Sequence, residues 1–262
     1  MTATQSLRLT IALTALAATG AGAGAGAGAQ QTAASSLPAA SVLVAKYANA
    51  IGARAMIRAP QVTTRGGMTM SAAGITATFE LIQLAPNRMQ MVTTIPSVGA
   101  IQVGFDGTTA WSVDPMQGPR VLTGKEADEL REQADPRATG RSPELFTSVQ
   151  TVADTTMNGD RCYLVKLSWK SGRETFDCYS ATSGLMVGSK SVQQTQMGAI
   201  PVITLYSDYK KFGDFLIPTK TVNSMMGQEQ VMTVTAVEVG TGAGVTIAAP
   251  AEIKALAEPA DK

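Results

Sequence analysis

The sequence contains no histidine. That absence removes Ser-His-Asp and Cys-His nucleophile systems and leaves a catalytic zinc site without its commonest ligand. A Ser-Lys dyad stays open in principle, but no serine and lysine stand in an arrangement that marks one. Asp106 and Asp114 come nearest to a carboxylate constellation. They could serve as an acid–base pair or as cation ligands. Each also stands at a turn, before Gly107 and Pro115, where an aspartate accepts hydrogen bonds from nearby backbone N–H groups, and that is the simpler role. The glycines between Gly20 and Gly28 do not join a strand to a helix, so they form no phosphate-cradling loop. The sequence thus offers no catalytic residue, no metal site and no cofactor.

The two cysteines carry the remaining reactive chemistry. Cys162 and Cys178 lie on the strand-like runs Arg161–Trp169 and Glu174–Ser180, joined by Lys170-Ser171-Gly172-Arg173. With a three-residue loop closed by Gly172, Cys162 faces Ser180 and Cys178 faces Leu164. The cysteines then share a face but stand diagonally, so a direct bridge calls for a bulge or a different loop. A disulfide would close a loop of about 15 residues and contribute on the order of 3 kcal/mol in the chain-entropy account. Two buried thiols are the alternative.

Composition narrows the function classes. Of the 262 residues, 45% are hydrophobic and 16% charged, enough for one substantial core. The formal net charge is +1, so no basic field exists to collect nucleic acid or an anionic membrane. Residues 1–29 read as a signal peptide: Arg8 is the only charge, Leu9 to Ala18 form the apolar stretch, and Ala27-Gly28-Ala29 precedes the cleavage point. Export follows, with no transmembrane segment in the mature chain; an uncleaved membrane anchor is the alternative.

The elements that position these residues are mostly strands. After a polar linker (30–37), Ser41 is placed to cap a helix running to Ile51, with Gly52 as its stop. Gly104-Phe105-Asp106-Gly107 and Trp111-Ser112-Val113 read as a hairpin whose second strand ends at Asp114-Pro115. Thr123 and Glu126 form a capping box for a helix through about Ala134, which Pro136 ends, and Ser142-Pro143-Glu144 opens a short helix. Strand patterns resume from Gln150 to Val239. The fold class expected is α+β: a strongly curved antiparallel sheet of about eleven strands, an unclosed β-barrel, covered by the N-terminal helix and one or two mid-chain helices. A single domain over 38–249 and a polar tail over 250–262, with room for a brief helix, complete the division.

This order resembles the LolA/LolB-like periplasmic lipoprotein-carrier superfamily, in particular its divergent "outer membrane lipoprotein-sorting protein" members. The residues that carry the resemblance are Lys46-Tyr47 with Ala50-Ile51-Gly52, Ala85-Pro86-Asn87-Arg88, and Gly104-Phe105-Asp106-Gly107 with Trp111, Asp114-Pro115 and Gly118. Thr182-Ser183-Gly184-Leu185, Asp208-Tyr209 and Ile217-Pro218 continue it. The resemblance implies an open barrel whose hydrophobic cavity, under helices, holds acyl chains or another lipid-like ligand. No arginine here stands in a motif that identifies the family's ligand-gating arginine.

Met68, Met70, Met89, Met91, Met116, Met225, Met226 and Met232 fall in or beside strands. Methionine suits a surface that must adapt to varied apolar shapes, and it also fills gaps in ordinary cores. Phe79, Leu81, Met89, Met91, Val103, Phe105, Trp111 and Met116 are the residues expected to line the concave, ligand-binding side. The function expected is a non-catalytic periplasmic carrier of a lipid acyl chain or lipidated protein. The alternative is an envelope assembly or stress-sensing factor that binds a protein partner through the same fold.

Overall fold

The alternation of apolar and polar residues past residue 60 becomes strand after strand, because each inward side chain finds cover on one side of a pleated surface. The structure is a computed structural model that describes residues 37–195 and 198–257. The signal peptide expected over 1–29 lies outside the described residues, as do 30–36 of the linker and 258–262 of the tail.

Two antiparallel meanders make one sheet. The first is β1 (Gln61–Met70), β2 (Ile75–Leu84), β3 (Arg88–Ile95), β4 (Gly99–Phe105), β5 (Ala110–Asp114) and β6 (Gly118–Leu122). The second is β7 (Phe146–Met157), β8 (Asp160–Trp169), β9 (Glu174–Ser180), β10 (Met186–Thr195), β11 (Gly198–Phe212), β12 (Phe215–Met225) and β13 (Gln228–Gly240). They join where β1 pairs with β13, with a bulge at Arg65/Gly66, and the sheet runs from β6 at one edge to β7 at the other. The edges do not pair, so the barrel is unclosed. Thirteen strands among the described residues exceed the eleven expected. The strand β6 escapes a sequence reading because it is short and contains Pro119, which a sheet edge tolerates.

α1 (Ala40–Ile51) and α2 (Ala53–Arg58) meet at Gly52, whose φ of +76° makes the left-handed corner that ends α1. α1 starts one residue before Ser41 and has no side-chain cap. Its Leu43, Val44, Tyr47 and Ile51 pack with Val165, Leu167, Tyr179 and Phe215 of the second meander. α3 (Gly124–Ala134), α4 (Pro136–Thr139) and a 3-10 turn over Pro143–Leu145 connect the meanders. Pro136 ends α3 as expected and also begins α4, where the Asp135 carboxylate accepts from the Arg137 N–H at 2.9 Å. α5 (Ala251–Ala257) falls in the segment expected to be a polar tail. Its Ile253 is fully buried, with Ile247 and Ala249, against Leu84 and Trp111. No helix among the described residues is long and apolar enough to cross a membrane.

Cys162 and Cys178 form a disulfide with a Cα–Cα distance of 5.5 Å. The register is the expected one, Cys162 opposite Ser180 and Leu164 opposite Cys178, and no bulge interrupts it. The bridge forms with neither a bulge nor a different loop: strand twist shortens one of the two diagonals between neighbouring strands.

Candidate binding cavity

Strand parity sorts the apolar residues of the first meander. Leu81, Met91 and Val103 stand opposite one another in register, as do Met89 and Phe105, and all five share a face. α3 lies on that face, with Leu130 and Ala134 buried against Met89, Phe105 and Ala110. Its other side reaches the second meander through polar contacts. Both Glu129 carboxylate oxygens accept from the Gln194 N–H at 3.2 Å. Partial burial raises the Glu129 pKa against the pull of that N–H and of Arg173. Glu132 takes Arg173 at 2.7 Å, and the Arg173 guanidinium sits 4.6 Å over the Trp169 ring. Thus α3 spans the open side of the barrel, held by packing on one wing and by charge on the other.

Between α3–α4 and the sheet lies a cavity of about 370 Å³. Leu81, Met89 and Met91 line it from the first meander, and Thr175, Asp177, Ser189, Ser191, Thr204 and Tyr206 from the second, together with Trp169 and Arg141. The Arg141 side chain follows a left-handed backbone turn, φ +53°. Its Nε donates to Asp177 Oδ2 at 2.6 Å and its Nη1 to the Ala138 carbonyl at 2.7 Å. The Tyr179 hydroxyl donates to the same Oδ2 at 3.2 Å. Asp177 is fully buried, and its Oδ1 accepts no hydrogen bond from the protein. Burial works most strongly against the Arg141 charge, yet Asp177 together with Tyr179 and Tyr47 outweighs it and the guanidinium pKa rises. Burial raises the Tyr47, Tyr179 and Tyr209 hydroxyls well above the usual range.

A second hollow of about 360 Å³ runs between α1–α2 and the segment from Gly140 to Val149. Val44, Ala48, Ala53, Ile57, Phe146 and Val149 give it an apolar lining, and Arg54 and Arg58 flank it. Arg141 lines both hollows and stands at the partition between them.

Leu81, Met89 and Met91 border the cavity, whereas Val103 and Phe105 on the same face sit under α3. Phe79 is buried further along that face, its ring over Gly66. Two expectations need correction. Trp111 pairs with Gly104, not Phe105, and so points to the opposite face, beneath Ile247 and Ile253. Met116 lies at a hairpin tip, 82% exposed. Asp106 and Asp114 take the turn role: Asp106 Oδ1 accepts from the Thr108 and Thr109 N–H groups at 3.0 and 2.8 Å, and Asp114 Oδ1 from that of Met116 at 2.7 Å. Sequence reasoning missed the polar wall. Its signal was Asp177 between Phe176 and Cys178, on the same strand face as Thr175 and Tyr179: an acid on a covered strand face requires partners.

Neither a protein-family model nor a curated protein sequence matches the chain. Solved structures do. A LolA superfamily protein from Nitrosomonas europaea is 14% identical, with a TM-score of 0.51 over 78% of this chain and 94% of that one. A DUF1329 family protein from Desulfovibrio piger is 9% identical, with a TM-score of 0.53 over 79% and 95%. A domain described as a putative outer membrane lipoprotein-sorting protein from Vibrio parahaemolyticus is 10% identical, with a TM-score of 0.47 over 74% and 94%. At these identities the likeness concerns architecture, and the protein has a divergent LolA-like fold.

Proposed function

We propose that the protein is a non-catalytic periplasmic carrier that holds the acyl chain of a lipid or a lipidated polypeptide between sheet and α3. The observation that supports this most is the cavity itself, with the flexible side chains of Met89 and Met91 beside Leu81 on its apolar wall. Such a wall adapts to chains of different shape at little cost. Binding would rest on removing apolar area from water, about 0.8 kcal/mol per buried methylene, so six methylenes contribute roughly 5 kcal/mol. The polar contacts of Glu129 and Glu132 form the side of the lid that can release without opening the apolar core. The motif resemblance to the lipoprotein-carrier superfamily supports the same assignment.

The test is native mass spectrometry of protein purified from the periplasm, followed by organic extraction and titration with a fluorescent fatty acid. A bound lipid, or saturable probe uptake that substituting Met91→Lys abolishes, supports the proposal. Unliganded protein that ignores the probe overturns it. Partner binding is the second function, favoured by the outer hollow, where Ile57 on α2 is 36% exposed. A partner retained by the wild type and lost on Ile57→Asp, with the cavity empty, would favour it.

A further inference from the structure

We propose that the cavity selects amphiphiles whose head group carries a neutral hydrogen-bond donor, a hydroxyl or amide N–H, and seats that donor on Asp177 Oδ1. This rests on the carrier function and specifies its ligand class. A fully buried carboxylate oxygen without a donor is costly, because ionised acceptors lose strong hydration on burial. Asp177 Oδ2 already receives Arg141 and Tyr179, while Oδ1 receives nothing from the protein. Asp177 also lines the cavity, so a guest can reach its neighbourhood.

Charge decides between head groups. The Arg141–Asp177 pair is neutral as a unit, so a cationic head drawn to Asp177 would meet the Arg141 guanidinium. An anionic head would meet the carboxylate. Arg141 offers an anion little, since Nε is taken by Asp177, Nη1 by the Ala138 carbonyl, and Nη2 lies 3.9 Å from the Met186 sulfur. A hydroxyl has neither conflict. Ser189, the cross-strand neighbour of Asp177, and Ser191 and Thr204 beside it supply further hydroxyls for a glycerol-like or hydroxylated head. The chain would then lie along Leu81, Met89 and Met91.

Displacement of the apolar fluorophore N-phenyl-naphthylamine from the full-length mature protein tests this. Dodecanol, methyl dodecanoate and sodium dodecanoate share a chain length and differ in whether the head donates, only accepts, or is anionic. At about pH 8, and with each compound corrected for its partition from water, dodecanol should displace the probe at about tenfold lower concentration than the other two. In Arg141→Met/Asp177→Leu that advantage should vanish while the ester still binds. Equal displacement by alcohol and ester in the wild type overturns the inference and leaves the carrier function standing. Persistence of the advantage in the double variant overturns it too. If no compound displaces and the fluorophore itself does not bind, the carrier function fails with it. Should the double variant not fold, the wild-type series decides alone.

Discussion

Replacing Asp177 by leucine should remove a large share of the stability of this fold. The carboxylate is fully buried and takes Arg141 at 2.6 Å, with the Arg141 side chain only 15% exposed. Removing one member of a buried pair leaves the other charge uncompensated, at about 3–5 kcal/mol. The Tyr179 hydroxyl loses its acceptor as well, adding about 1 kcal/mol. The sum, about 4–6 kcal/mol, is a large share of the 5–15 kcal/mol typical of a domain. Arg141→Met should cost a similar amount by stranding the carboxylate. Arg141→Met/Asp177→Leu leaves no buried charge, so its loss should be only about 1–3 kcal/mol, from the Tyr179 hydroxyl and the Ala138 carbonyl. Urea unfolding followed by tryptophan emission provides the measurement, because Trp169 lies 5.7 Å from the Arg141 guanidinium. Two results would refute the reasoning: a single leucine costing less than about 1 kcal/mol, or a double variant as unstable as the two singles combined.

Other perturbations read other parts of the molecule. Cys162→Ser/Cys178→Ser removes a bridge of sequence separation 16 and should lower the unfolding free energy by about 3 kcal/mol, as should reduction of the wild type in a urea titration. In Gly104→Val, the added Cβ would meet the Trp111 indole at 2.3 Å, so a loss of about 1–3 kcal/mol and a shifted tryptophan spectrum should follow. Leu130→Ala thins the lid's contact with Phe105 and Met89 and should cost about 2–5 kcal/mol while speeding release of a fluorescent fatty acid in stopped-flow traces. Asp106 is partly buried, which alone would raise its pKa, but the N–H groups of Thr109, Thr108 and Ala249 hold it below its ordinary 3.8. Its contribution is therefore complete above 3.8 and drains away as pH falls through the lower folded value. Asp106→Asn should flatten that limb of an acid titration followed by circular dichroism; an unchanged slope would remove Asp106 from the account.

The strands were legible because alternation in segments such as Ile75-Thr76-Ala77-Thr78-Phe79 states both the element and its two faces. Which residues shared a face across a turn was harder to read. Phe105 pairs with Ala110 across a four-residue loop, closed by the Asp106 N–H donating to the Thr109 carbonyl at 3.2 Å. One residue more in that loop would have set Trp111 opposite Phe105 on the inner face, since register and face are linked with period two. Gly104 held the missing clue, because a bare backbone position opposite a tryptophan is where an indole can lie flat. The cavity's polar wall stayed hidden for another reason. Arg141 sits in an irregular connector with no periodicity to place it, and only the return of that connector beneath α1 brings it to Asp177. The brief helix in the C-terminal segment was legible, but its docking was not: a short run with one Ile253 carries no pattern, yet one isoleucine over Trp111 suffices to anchor it.

The seam between β1 and β13 imposes an order on biosynthesis. Thr235 Oγ1 donates to the Arg65 carbonyl at 3.2 Å across 170 residues of chain. At about 5–20 residues per second, a ribosome leaves the outer margin of β1 bare for roughly 10–30 s after it emerges. A naked strand margin templates intermolecular pairing, so the N-terminal half stays open to it until its complement arrives. The same geometry makes the chain divisible: cut in the connector after α4, each half would keep its own meander, and co-expressed halves would have one long zipper through which to reassemble.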